Sequence, residues 1–311
     1  ITFIIYAMIR QMPGTPLTTD PGVQSLDRKI NQADLDRLNR IYGLDKPWAQ
    51  AYFIWLGNAV RGDFGRSFSQ KRPVTRVIGE RIPRTLLLTV PSLVLMYVLS
   101  IPIGLWTTAR RNKWDERIAS TFLYALYALP TFVAALVLLY YFYQRLAGTM
   151  WELPPGIVSR DYEKMSAGGK FLDMLRHLIL PVACYTYGGI TYYSRFIKSN
   201  MEEVIRQDYI RTARAKGVAP HRVLLHHAFR NTLIPFITSI GLTLPALLAG
   251  SVVIEYVFSW PGMGTLLLES IARRDYPVIM AIALICSVMT LGGQLVADLL
   301  YAVVAPRISY S

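Results

Sequence analysis

The chain has 311 residues and a formal net charge of +13; 53% of its residues are hydrophobic and only 17% are charged. Soluble domains usually carry about 25% charged residues, so the composition argues for a membrane protein and against an ordinary water-soluble domain. A strong positive charge can indicate nucleic-acid binding, but in so apolar a chain the basic flanks of membrane spans explain it better. We therefore predict a lipid bilayer around the chain and no nucleic-acid partner.

The first apolar stretch is too short to cross a bilayer. Residues 1–9 are apolar and are followed by Arg10, whereas a transmembrane helix needs about 20 apolar residues. We interpret residues 1–10 as the end of a first transmembrane helix that is truncated at its start. A cleaved signal peptide is the alternative, but no basic leader or small-residue cleavage site supports it.

Residues 11–84 are too polar to span a membrane, and we predict an extracytoplasmic segment with short helices. Asn31 is suited to cap one helix, which Gly43 ends. Asp45 opens a second helix, whose apolar face is formed by Trp48, Tyr52, Trp55 and Leu56. The paired glycines of residues 62–65 predict a turn after that helix.

Five later stretches are long and apolar enough to span the membrane as helices. They are residues 86–108, 119–143, 178–194, 232–254 and 276–304. With the N-terminal stretch they predict an all-α, polytopic membrane helix bundle of six transmembrane helices. Residues 85–305 would form its five-helix core and residues 306–311 a cytoplasmic tail. Several spans contain prolines, which tend to kink membrane helices.

Basic residues are distributed unequally between the predicted loops. Residues 109–118 and 195–231 carry an excess of Arg and Lys, whereas residues 255–275 are close to neutral. Because basic loops tend to remain in the cytoplasm, we expect both basic loops and both termini to be cytoplasmic, with residues 11–84 outside.

The basic loop 195–231 contains a helix, a turn and a second helix. Gly217 is suited to end the first helix at positive φ, and Pro220 fits the first turn of the second. The residues that share one face of the first helix are Tyr209, Ile210, Ala213 and Gly217. The basic residues around that face are Arg211, Arg214 and Lys216. The pattern fits a helix that docks in a groove of a soluble partner, and it also fits an amphipathic helix on anionic lipid headgroups.

The same loop carries a family resemblance. It reads Asp208-Tyr-Ile-Arg-Thr-Ala-Arg-Ala-Lys-Gly217 and continues to His227-Ala-Phe-Arg-Asn231. This resembles the cytoplasmic loop of binding-protein-dependent ABC importer permeases, although Arg211-Thr-Ala213 stands where the family's general motif has Glu-Ala-Ala. It is closest to the version found in peptide permeases. The loop therefore favours docking over lipid binding.

Two further blocks resemble dipeptide and oligopeptide permeases. The first is Tyr42-Gly-Leu-Asp-Lys-Pro47 with Arg61-Gly-Asp-Phe-Gly-Arg-Ser67, similar to their outer segment. The second is Phe258-Ser-Trp-Pro-Gly-Met-Gly264 with Arg274-Asp-Tyr-Pro277, similar to their last loop. Because the blocks occur in the family's order along the chain, the resemblance covers almost its full length.

The resemblance implies a permease of the bacterial inner (plasma) membrane that moves short peptides by alternating access. Its implied partners are a second homologous permease subunit, two cytosolic ATPase subunits and an extracytoplasmic solute-binding protein. The residues implied in ATPase coupling are Tyr209, Ile210, Ala213, Arg214, Lys216 and Gly217. The chain has no phosphate-binding Gly-x-x-x-x-Gly-Lys-Ser/Thr loop, so ATP and Mg are expected only in the partner subunits.

Other functions have weaker support in the sequence. A secondary, ion-coupled transporter would need charged or broken-helix ion sites at mid-depth, and Asp298 is the only acidic residue within the five later spans. No catalytic, cofactor-binding or metal-ligating set is predicted, which argues against an enzyme. Glu255, at the outer end of the fifth predicted span, is a possible pathway mouth for a cationic amine.

Overall fold

The computed structural model describes residues 2–11 and 47–304, and every extended regular element within these ranges is helical. The first part contains α1 (Thr2–Gln11), α2 (Trp48–Val60), α3 (Val74–Ala109), α4 (Trp114–Ala128) and α5 (Thr131–Leu139), with a π-helical continuation at Tyr140–Arg145. The second part contains α6 (Ala167–Val204), α7 (Asp208–Ala215), α8 (Arg230–Leu242), α9 (Leu244–Ala249), α10 (Val252–Val257), α11 (Met263–Ala272) and α12 (Tyr276–Val304). A short 3-10 turn, Tyr162–Lys164, precedes α6, and a turn at Pro220–Arg222 with a π-helical stretch, Val223–Phe229, leads into α8. The all-α prediction is confirmed.

Two helices of the described chain are long and apolar enough to cross a membrane, namely Val74–Ala109 and the Tyr276–Leu300 part of α12; the bent pair α4–α5 adds a third if it counts as one span. The predicted span 276–304 has the bounds of α12. The predicted span 86–108 lies within α3, which already begins at Val74, inside the predicted outer segment. The count of six spans stays a prediction.

Two of the predicted spans are broken rather than continuous. In the span 119–143, Leu129 is extended with ψ 118°, and α5 leaves α4 at an angle of 90°. The residue before a proline is biased away from the helical region, so Pro130 explains this break. The span 232–254 is interrupted at two places. The first break follows Leu242, and the second is at Gly250, which has φ 65°. By contrast, the helix continues through Pro83, Pro91, Pro102 and Pro181.

The predicted outer segment is partly described. Helix α2 is present, and the turn that follows it has positive φ at Gly62 and Gly65, with the Gly65 N–H donating to Asp63 Oδ1 at 2.9 Å. The turn and the helix through Trp48, Tyr52, Trp55 and Leu56 are confirmed, while the predicted start at Asp45 lies outside the described residues. The predicted helix of residues 31–43 and the tail of residues 306–311 lie outside the described residues.

The long helices α3 and α6 pack against each other over most of their length. At one end of this pair, the apolar side chains of Met96, Ile197 and Met201 are buried in a common cluster. Gly104 lies where an added Cβ would come within 2.9 Å of Ile197, so the two helix backbones approach closely there. The α3–α6 pair therefore forms a continuous support between the two ends of the molecule.

Contacts between loops fall within the two groups that the predicted order of spans gives. At the α3 C-terminus, Lys198 of the loop 195–231 contacts Glu116 of the loop 109–118. At the α3 N-terminus, the Trp260 indole N–H donates to the Arg84 carbonyl at 2.8 Å. The Gly156 N–H likewise donates to the Phe258 carbonyl at 2.7 Å. Loops predicted to share a side thus meet, while the orientation of the chain in the membrane stays a prediction.

Candidate functional site

Helix α7 lies in the predicted coupling loop and ends as its sequence predicts. Gly217 has φ 77°, a backbone conformation that residues with a Cβ rarely adopt. The Gly217 N–H donates to the Arg214 carbonyl at 3.0 Å, and the Val218 N–H donates to the Ala213 carbonyl at 3.2 Å. This pair of hydrogen bonds is a Schellman motif. Pro220 then begins the next helical turn, so the predicted helix, turn and helix are confirmed.

One side of α7 is anchored in the body of the protein. Ile210 is fully buried and Ala213 is 8% exposed. The buried residues of the same apolar cluster come from α3, α6, the π-helical stretch and α8, and are Met96, Tyr193, Ile197, Met201, Val223, Ala228 and Phe236. A displacement of α7 therefore acts on several helices at once.

The opposite side of α7 is exposed and basic. Arg214, Lys216 and Gly217 are all exposed. Tyr209 is 43% exposed, and its hydroxyl accepts a hydrogen bond from Asn231 Nδ2 at 2.5 Å. The phenol thus joins α7 to the first turn of α8. This surface is free for a partner that reaches it from outside the chain.

The structure separates residues that the sequence assigned to one face. Ile210 and Ala213 point into the chain, whereas Tyr209 and Gly217 lie on the exposed side. Successive residues of a helix are rotated by about 100°, so in a helix as short as α7 the edges of an apolar face are poorly defined by spacing. Of the six residues predicted for coupling, four are available to a partner and two hold the helix in place.

Ion pairs beside α7 were not predicted. Lys198 Nζ lies 2.6 Å from Glu116 Oε1 and 4.0 Å from Glu202 Oε1, and Arg111 Nε lies 3.6 Å from the same Glu202 oxygen. The hydrogen bonds from Lys198 and Ser120 lower the pKa of Glu116 below its ordinary value. These pairs link the start of α4 to the end of α6, next to the coupling loop. Sequence showed both loops to be charged but gave no sign of which charges meet.

Glu255, the predicted pathway mouth, is fully buried. Its Oε2 accepts the Thr265 N–H at 2.8 Å in the first turn of α11, and Thr85 Oγ1 donates to its Oε1 at 3.4 Å. Added Cβ atoms at Gly250 or Gly262 would come within 2.2 Å or 2.5 Å of the carboxylate. The side chain caps α11, and its predicted role at a pathway mouth stays a prediction. A cap formed by a residue of a preceding helix has no local sequence signal.

A second buried acid, Asp275, was also missed. Its carboxylate accepts the Phe68 N–H at 2.9 Å and the Ser69 N–H at 3.0 Å, the Ser69 hydroxyl at 2.7 Å and the Ser67 hydroxyl. Asp275 is fully buried. It therefore holds the loop before α3 against the start of α12.

Comparison with known proteins gives the chain's family. Residues 100–310 match the family described as binding-protein-dependent transport system inner membrane component. The oligopeptide transport system permease protein AppB of Bacillus subtilis is 41% identical over 100% of this chain and 94% of its own length. The di/tripeptide transport system permease protein DppB of Pseudomonas aeruginosa is 34% identical, with the same coverage.

A third relative, the glutathione transport system permease protein GsiC of Escherichia coli, is also 34% identical over 100% of this chain and 94% of its own length. The family match includes α7, the members of its anchoring cluster from Tyr193 to Phe236, and the buried acids Glu255 and Asp275. The three relatives match the whole chain. The family's description as an inner membrane component agrees with the long apolar helices of the structure. The chain belongs to the family of inner membrane components of binding-protein-dependent transport systems.

Proposed function

We propose that this chain is the permease subunit of an ABC importer for short peptides, with both termini in the cytoplasm. It would act with a second homologous permease, two cytosolic ATPases and an extracytoplasmic solute-binding protein. The observation that carries the proposal is α7, a short helix with an exposed basic side and a buried apolar side. Such a helix can receive a force from a soluble partner and pass it to the body of the membrane protein.

The contacts of α7 support a specific route for that force. ATP-driven closure of the ATPases would press on the exposed side, at Tyr209, Arg214, Lys216 and Gly217. Ile210 and Ala213 would transmit the displacement to α3, α6 and α8, because the apolar cluster contains residues of all three helices. A helix bundle that has two packings would then open alternately to the outside and the inside.

The relatives support the substrate class. Their names refer to oligopeptides, to di- and tripeptides and to glutathione, and all three cover this chain completely. We infer a short peptide as the substrate here, delivered by the solute-binding protein. ATP and Mg would be bound by the partner ATPases.

Replacement of Gly217 by Arg tests the coupling role. The residue would be strained at φ 77° although its surroundings are open, and strain of this kind costs about 1–2 kcal/mol. A long charged side chain would also occupy the exposed side of α7, where the ATPase is proposed to bind. In the reconstituted complete transporter, we expect peptide uptake per ATP hydrolysed to fall by about tenfold or more, an effect of about 1.4 kcal/mol or more on coupling.

Gly148→Arg is the matched control, because Gly148 also has positive φ, 76°, and open surroundings. It lies between the predicted spans 119–143 and 178–194, where the order of spans places the loop outside. This variant should transport normally. Normal uptake by Gly217→Arg would contradict the coupling role. Uptake that needs a proton gradient and no ATP would instead establish the alternative, a secondary ion-coupled transporter.

A further inference from the structure

A compact hairpin lies at the N-terminal end of α3. The exposed side of α7 lies toward the other end of that helix. We call residues 66–73 the outer hairpin. Arg66 and Pro73 form an isolated antiparallel bridge, and the Ser67 N–H donates to the Arg72 carbonyl at 2.9 Å. The Arg66 guanidinium donates to the Lys71 carbonyl at 2.9 Å. The hairpin thus has a defined backbone conformation of its own.

The outer hairpin is also fixed to the rest of the protein. Asp275 accepts hydrogen bonds from Ser67, Phe68 and Ser69, as described above. The Phe68 ring packs on the Tyr276 ring with centroids 6.2 Å apart. The position of the outer hairpin relative to α12 is therefore set by directional contacts, and the hairpin presents a surface of fixed shape.

The charge of this region is strongly positive. Residues 61–84 contain seven basic residues and two acidic ones, Asp63 and Glu80. Glu80 pairs with Arg72, whereas Arg61, Arg66 and Arg76 are exposed. The basic residues that immediately precede Asp275 are Arg273 and Arg274. Such an excess is unexpected in a loop predicted to be outside, because basic residues are normally concentrated on the cytoplasmic side.

The outer hairpin lies beyond direct contact with the lipid headgroups of the predicted membrane. Arg84 is the last charged residue before the apolar part of α3, and the helix begins at Val74. The helix therefore extends about 15 Å before the apolar stretch begins, at about 1.5 Å per residue. The headgroup layer is only about 5–8 Å thick on each side, so the hairpin stands outside it, although the lipid charge, screened over about 8 Å at physiological salt, still reaches the hairpin.

We propose that the outer hairpin, with the exposed residues Arg61 and Arg76, docks an acidic surface of the solute-binding protein. This inference rests on the proposed function and its orientation, and it adds the location and the charge of the docking surface. A positive surface of fixed shape suits a folded acidic partner, since complementary charge accelerates encounter and selects the partner. Lipid headgroups would need the charge but not the fixed shape.

The test is the affinity of the complete transporter, in nanodiscs of uncharged lipid, for its own solute-binding protein loaded with a tripeptide. The variant is Arg61→Glu combined with Arg76→Glu, because neither side chain holds the hairpin together. We expect its dissociation constant to rise by about tenfold or more, and the salt dependence of binding to become weaker than in the wild type. Arg160→Glu, an exposed charge reversal in another loop predicted to be outside, should bind as the wild type does.

Equal affinity of the double variant and the wild type would overturn this inference. A loss of binding to anionic vesicles with unchanged affinity for the solute-binding protein would also overturn it and would identify a lipid surface instead. If the wild-type transporter neither binds the solute-binding protein nor couples uptake to ATP, the proposed function has failed as well. The single variants Arg61→Glu and Arg76→Glu should each give part of the effect, which separates docking from misfolding.

Discussion

The two ends of α3 differ in how their most buried groups are held. Near the C-terminal end, the buried side chains that anchor α7, Ile210 and Ala213, make apolar contacts. At the N-terminal end an apolar cluster is also present, but it is joined there by the buried carboxylates of Glu255 and Asp275, which accept hydrogen bonds from backbone N–H groups and hydroxyls. Apolar contacts are non-directional and tolerate small displacements, whereas hydrogen bonds weaken steeply with angle. We infer that the anchor of α7 is suited to transmit motion and the N-terminal end of α3 to keep one geometry.

Removal of the Asp275 carboxylate should give the largest effect. Asp275→Ala leaves several donors of the outer hairpin without an acceptor, and each buried donor costs about 1–3 kcal/mol when it is unsatisfied. We expect a clear fall in the thermal stability of the purified complex and faster trypsin cleavage after Arg66 and Lys71. Asp161→Ala, which removes an exposed carboxylate, should change neither. Unchanged cleavage of the outer hairpin in Asp275→Ala would show that Asp275 does not hold it.

Truncation of Ile210 should come next. Ile210→Ala removes a fully buried side chain, and such changes typically cost about 2–5 kcal/mol. Because Ile210 links α7 to the helices of the membrane part, uptake per ATP hydrolysed should fall more than ATP hydrolysis itself. Leu225→Ala is the control, since Leu225 is 45% exposed and its truncation should have little effect. Full coupling in Ile210→Ala would rule out transmission through this anchor.

The smallest effect is expected at Tyr209. Tyr209→Phe removes only the hydroxyl that accepts from Asn231 at 2.5 Å, and a single exposed hydrogen bond contributes about 0.5–1.5 kcal/mol. Uptake should fall by a few-fold, and Asn231→Ala should give a similar loss. If the two residues act through this one bond, the double variant should be no worse than either single variant. Additive losses would mean that they act separately.

Local signals in the sequence predicted much of the fold and part of the coupling loop. Gly217 and Pro220 fix the end of one helix and the start of the next through their own backbone preferences, and α12 has the predicted bounds. Hydropathy could not show the break at Pro130 in α4–α5, because both halves are apolar and read as one span. It also missed the ends of α6, whose polar extensions beyond residues 178–194 lie outside any apolar window.

Contacts between distant residues were beyond local sequence signals. Nothing near Asp275 in the chain identifies Ser67 and Ser69 as its partners, and nothing near Glu116 identifies Lys198. Glu255 was predicted as a pathway mouth, but its contacts depend on Thr85 and Thr265, which other parts of the chain provide. Side-chain partners of this kind are set by the packing of helices, which composition and spacing do not specify.

The length of chain between the outer hairpin and its acceptor has a consequence for biosynthesis. Ser67 and Asp275 are 208 residues apart, so the hairpin leaves the ribosome long before the carboxylate that fixes it. Contacts over such a distance in sequence form late, because the chain between them must be ordered first. The proposed docking surface is thus completed only when the last helix has been inserted, and a prematurely ended chain would not present it to the solute-binding protein.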